Sequence, residues 1–232
     1  MRAIDHDDPA YSREQMGIKM TNTPTIHSSQ AAIDLIVTEE DSGQAYYARH
    51  YTHFEWPEGA SGPTVGIGYD CGYSTPDQIK ADWTGFVSDQ TVAAMMRAAG
   101  LQGQSAHAWV QRNGQSVTVT WDQAIAQFKA HELPKWEAKL IHDLPNTDQL
   151  SGDCFGALTS LIFNRGDGGF TSPGARYMEM RAIKDHMVAK QFGKIPGEFL
   201  SMRRLWPKGG DLWNRRGHEA ALFTKGLAPV TA

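Results

Sequence analysis

Between residues 31 and 40 the apolar positions Ile33, Ile36 and Val37 fall three and four apart, the spacing that lines one face of an α-helix. Glu40 continues that row, and Glu39 continues a second, less apolar row through Ala32, Leu35 and Ile36. Ser28 or Ser29 stands where an N-cap is expected. The same reading predicts a helix opening at Thr75-Pro76, another over 88–99, and one over 121–142 with a break near Pro134. Further helices are predicted over 151–163, 174–191, 198–205 and 211–225. Residues 50–73 are expected to form a small β-lobe, and 116–120 a strand of a hairpin beyond Gly114. The expected fold class is α+β and mainly α, with a small sheet lobe and a larger helical lobe. Residues 1–27 are polar and broken by Pro9 and Pro24, which predicts a weakly ordered N-terminal arm ahead of one domain over 28–232.

The stretch from Ser61 to Tyr73 reads Ser-Gly-Pro-Thr-Val-Gly-Ile-Gly-Tyr-Asp-Cys-Gly-Tyr. In an unbroken strand Thr64 and Asp70 would share a face yet lie roughly 20 Å apart at ~3.3 Å per residue, too far to act on one bond. Gly66, Gly68 and Gly72 permit a sharp turn, so the two residues can converge across a hairpin. Upstream, a carboxyl on the apolar face of a helix is partly desolvated, which raises its pKa and suits Glu40 to donate a proton near neutral pH. Glu39 is the alternative donor. Solvated acids at a helix end are the plainer reading of the pair. A donor carboxyl and an acceptor carboxylate are the pair that glycoside hydrolysis needs, and a hydroxyl beside the acceptor can help position the water.

Composition narrows the class. The chain has 232 residues, 41% hydrophobic and 21% charged, enough to bury a substantial core. A net charge of −4 and a pI near 6.1 argue against a nucleic-acid partner, which calls for a basic face. No run approaches the ~20 apolar residues of a membrane span, and the first residues lack an apolar signal core, so synthesis in the cytoplasm without a signal peptide is expected. No Gly-x-Gly-x-x-Gly or Walker lysine suggests a nucleotide, and no cofactor is expected. His50 and His53 lie near Glu55 and Glu58 without a recognisable third ligand, so no metal is expected. Cys71 and Cys154 read as two buried thiols. Trp56, Tyr47 and Tyr69 have two readings, stacking on sugar rings or filling the core. Asn164 either contacts an N-acetyl group or caps carbonyls. Arg215 and Arg216 are spaced to pair with Glu219 and lock the last helix.

The order of helix-borne Glu, Tyr46-Tyr47, Trp56-Pro57, Ser61-Gly62 and Thr64-Val65-Gly66-Ile67-Gly68-Tyr69-Asp70 resembles the lysozyme-like superfamily of phage lysozymes and pesticin-like muramidases. Phe155 to Gly166 is similar to the buried helix of phage lysozymes that ends in Phe-Asn-x-Gly, and Leu212 to Phe223 to their closing Arg-Arg-x-x-Glu helix. In the commoner phage type the catalytic Asp sits nine residues after the Glu. Counted from Glu40 that position is Arg49, so the resemblance gives the role to Asp70 in the pesticin-type arrangement. It implies an active-site cleft between the two lobes and catalysis by Glu40, Asp70 and Thr64, with Tyr69, Tyr47, Trp56 and Asn164 contacting substrate. It further implies a monomeric muramidase acting on bacterial peptidoglycan in the periplasm or cell wall. Delivery would need a holin or a secretion apparatus, and a toxin would need an immunity protein. A glycosidase on chitin-like N-acetylhexosamine polymers and a catalytically silent glycan-binding module are the alternatives.

Overall fold

A computed structural model of the protein describes residues 27–41 and 43–228, the side chains of Glu40 and Asp41 excepted. The N-terminal arm expected over 1–27 lies outside the described residues except for His27. The described chain is mainly helical with one two-stranded sheet. It gathers into two compact units, one of residues 37–133 and one of residues 27–36 with 134–228.

Helix α1 (Gln30–Asp41) starts in the second unit and ends in the first. The Ser29 hydroxyl accepts from the Ala32 N–H at 3.1 Å, the N-cap bond that satisfies one of the orphan donors of a first turn. In the first unit follow α2 (Gln44–His50), β1 (Thr64–Val65), β2 (Tyr69–Asp70), α3 (Pro76–Trp83), α4 (Asp89–Met96), α5 (Gly103–Asn113) and α6 (Trp121–Gln127). Thr75 and Gln78 form the reciprocal capping box of α3, and Ser88 caps α4. Helices α2 and α5 have no counterpart in the expected elements.

The strand expected over 116–120 is absent. Residues 114–116 form a 3-10 turn, and the Val119 N–H reaches the Thr52 carbonyl at 2.9 Å without a ladder developing. Val117 and Val119 are nonetheless buried, so their alternation marks a core-facing extended segment rather than a sheet. The break near Pro134 takes the form of a π-helical turn over Phe128–Glu132. Proline offers no N–H to the preceding turn and its ring crowds the carbonyl four residues back, and widening that turn relieves both.

The second unit contains α7 (Leu133–Asp143, from Pro134 on), α8 (Gly152–Arg165), α9 (Met178–Val188), α10 (Ile195–Met202) and α11 (Asp211–Gly226). Helix α8 is buried on all sides from Cys154 to Arg165, the mark of a central core helix. Burying each of its large apolar side chains contributes about 1.5–3 kcal/mol. A Cβ on Gly156 would fall 2.0 Å from the Ala32 Cβ, so the glycine allows α1 and α8 to touch at the backbone. Ser160 and Asn164 of α8 are paired. Ser160 donates to Glu219 at 2.7 Å, and Arg215 donates to the Ser160 carbonyl at 3.1 Å. Arg216 donates to Glu219 at 2.9 Å and to Asn164 at 3.2 Å. The expected lock of Arg215 and Arg216 on Glu219 is thus present, fully buried and extended to α8.

Candidate functional site

The segment 61–73 folds into a hairpin whose loop is Gly66-Ile67-Gly68. Gly66 and Gly68 both adopt positive φ, 64° and 66°, which residues with a Cβ rarely do. The buried Ile67 pins the tip of the turn into the unit. The outcome is a fixed register in which Thr64 lies opposite Asp70 and Val65 opposite Tyr69. The sequence distance between Thr64 and Asp70 therefore collapses to the ~4.5–5.5 Å between Cα atoms of directly paired antiparallel residues.

Asp70 is half-buried and its carboxylate is held by backbone. Gly62 N–H donates to both oxygens, at 3.2 and 3.0 Å, and Gly72 N–H donates to Oδ1 at 2.8 Å. A Cβ on Gly62 would stand 2.4 Å from Oδ1, and one on Gly72 would stand 2.2 Å from the Leu101 carbonyl. Only glycine lets these two stretches of main chain close around the carboxylate. The loop that delivers Gly62 is itself fastened, because the Ser61 carbonyl accepts from the Trp56 indole and from Gly103 N–H, both at 3.0 Å.

Thr64 is buried and donates its hydroxyl proton to the Gly62 carbonyl at 3.1 Å. With that proton committed, its remaining capacity is as an acceptor. Its main chain pairs on the other side with Glu55, through Glu55 N–H to the Thr64 carbonyl at 2.9 Å and Thr64 N–H to the Glu55 carbonyl at 2.8 Å. Glu55 is half-buried. Burial pushes its carboxyl above the ordinary range, against the opposing pull of His50 and His53. The sequence reading missed this residue as part of the site. The signal was the alternation of His53, Phe54 and Glu55, with Phe54 buried, which marks an extended segment able to pair.

The other site candidates separate. Glu40 lies in the last turn of α1, and its side chain is outside the described residues. Glu39, one position earlier, is only 6% exposed and sits on the buried stripe with Ala32 and Ile36. Tyr47 and Tyr69, read as substrate contacts, are core residues. Tyr47 donates to the Val119 carbonyl at 3.0 Å, and Tyr69 donates to Asp82 at 3.0 Å with its ring edge-on to Trp83. Burial and the neighbouring Asp82 charge push the Tyr69 phenol well above its usual range. Neither ring offers a face for stacking. Trp56 is half-buried and stacks on His107 with centroids 4.4 Å apart. Asn164 is buried in the second unit as the acceptor for Arg216. Cys71 and Cys154 are free and buried, and burial raises both thiols. Among the described residues no group of three or more His, Cys, Asp or Glu is placed to hold a metal, and no helix is long and apolar enough to cross a membrane.

Compared with known proteins, residues 35–141 match a family model described as a domain of unknown function, DUF8812. The match takes in the last turns of α1 and the whole hairpin and covers a little under half of the chain. No curated protein matches the chain.

Proposed function

We propose that the protein is a peptidoglycan hydrolase of lysozyme-like fold, a muramidase that cleaves the β-1,4 bond between N-acetylmuramic acid and N-acetylglucosamine. The observation that carries this reading is the pairing of Thr64 with Asp70 across a glycine hairpin, with the Asp70 carboxylate fixed by two backbone N–H groups. A carboxylate so held has a fixed orientation. In the proposed reaction a water donates one hydrogen to Asp70 and the other to the Thr64 hydroxyl, whose own proton is committed to Gly62. Its free lone pair then points at the anomeric carbon. A glutamate at the end of α1 protonates the leaving oxygen. Glu40 is that donor, with Glu39 as the alternative. The enzyme needs no cofactor in this scheme. It is made in the cytoplasm, reaches the wall with a holin or a secretion apparatus, and, as a toxin, is held in check by an immunity protein.

Digestion of purified cell wall followed by mass spectrometry of the fragments tests this reading. A reducing N-acetylmuramic acid end is the expected product. An anhydro end would make the protein a lytic transglycosylase. Release from chitin but not from wall would move it to the N-acetylhexosamine polymers, and absence of any product would leave a glycan-binding module.

A further inference from the structure

Glu55, Thr64 and Asp70 stand in one row across three adjacent extended segments. The exchange of both backbone bonds between Glu55 and Thr64, at 2.9 and 2.8 Å, is the closely spaced antiparallel pair, which leaves no slack in register. Thr64 faces Asp70 on its other side. Directly opposed residues on neighbouring strands project to the same face, so the two half-buried carboxyl side chains flank the buried Thr64 on one face of the sheet. Two strand spacings of ~4.8 Å put their backbones roughly 10 Å apart.

We propose that Glu55 is a substrate-contacting residue of the Thr64–Asp70 site, donating a hydrogen bond from its half-buried carboxyl to a polar group of the glycan. This rests on the glycosidase reading above and adds a residue to it. The division of labour follows from environment. Asp70, surrounded by main-chain donors, is equipped to accept. Glu55 has lost part of its hydration and keeps its proton to higher pH than an exposed glutamate. Among the described residues, the titratable groups that bear on it are His50, at the end of α2, and His53 in the segment leading to Glu55. The two imidazoles favour the ionised form, and burial opposes it and prevails.

The test uses the full chain carrying Asp70→Asn, to prevent turnover, and chitotetraose as the probe in calorimetric titrations from pH 5 to 8. In this background Glu55→Ala should weaken binding about tenfold, the equivalent of one charge-free hydrogen bond with its desolvated partner left unpaired. Glu55→Gln, which keeps a donor and cannot ionise, should bind as the parent does at pH 5. It should also lose the decline that the parent shows as pH rises. Near-UV circular dichroism identifies any variant that has lost its fold, and the Gln variant decides the matter if the Ala variant is one. Unchanged affinity in Glu55→Ala, or equal loss in Ala and Gln, overturns the proposal while cleavage by the wild-type protein leaves the glycosidase reading standing. A wild-type protein that neither binds nor cleaves any glycan overturns both.

Discussion

Thr64 and Asp70 are direct register partners across a hairpin whose loop is only Gly66-Ile67-Gly68, and the carboxylate of Asp70 is closed in by the main chain of Gly62 and Gly72. A hydroxyl turned into an acceptor and a carboxylate aimed by two N–H groups thus share one small rigid element. Pre-set orientation of this kind is what a base needs to direct a water, since no reorganisation remains for the moment of reaction.

Replacing Asp70 by Asn retains an acceptor for the Gly62 and Gly72 N–H groups but removes the proposed base. Wall hydrolysis should fall by about 10²-fold or more with the melting temperature nearly unchanged. Turbidity clearance of permeabilised cells together with a thermal melt checks this. Near-normal clearance would remove Asp70 from the mechanism.

Gly72→Ala should damage the same carboxylate, because the added Cβ would crowd Asp70 Oδ1 at 3.0 Å and the main chain around it. The added Cβ would meet the Leu101 carbonyl at 2.2 Å and the Gly62 Cα at 2.7 Å, both main-chain atoms that cannot swing aside. A loss of about 1–3 kcal/mol in urea unfolding is expected, with activity reduced beyond what stability explains.

The two acids at the end of α1 can be told apart by charge removal. If Glu40 donates the proton, Glu40→Gln abolishes most hydrolysis and Glu39→Gln leaves it largely in place. The reverse result would give the role to Glu39, whose 6% exposure already places it in a desolvated setting. Comparing the two variants on purified wall, with folding verified by circular dichroism, settles the assignment.

Glu219 holds Arg215, Arg216 and Ser160 together inside the second unit. Glu219→Ala strands two buried guanidinium groups and should cost about 3–5 kcal/mol. Chemical denaturation monitored by tryptophan fluorescence would show a large drop in midpoint. A drop within 1 kcal/mol or so would mean the arginines find other partners.

Asp153 links stability to acid. Burial alone would raise its pKa, but the hydrogen bond from Ser29 and the Lys225 ammonium 3.1 Å away outweigh it and hold the carboxyl below its reference value of 3.8. A depressed folded-state pKa contributes stability that is present above 3.8 and lost as pH falls through the lower folded value. Ser29→Ala should therefore lower the melting temperature at pH 7 and leave a shallower dependence on pH below that reference value. Melts across an acid series would reveal an unchanged slope if the link is absent.

What the sequence determined by itself is what depends on near neighbours. The caps at Ser29, Thr75 and Ser88 and the helical spacing of α1 and α8 are satisfied within a few residues, so they read directly from the chain. The turn that joins Thr64 to Asp70 belongs here as well, since two glycines at positive φ suffice to make it. Tertiary structure decided the rest because it turns on contacts between distant positions. Glu55 joins the row only through its pairing with Thr64, and Gly72 is obligatory because Leu101 and Gly62 lie against it. Tyr47 and Tyr69 go to the core because Val119 and Asp82 are there to receive their hydroxyls, and residues 117–120 stay outside the sheet because a single bond to Thr52 does not make a ladder. An amphipathic ring or an alternating run is compatible with either fate, and it is the distant partner that selects one.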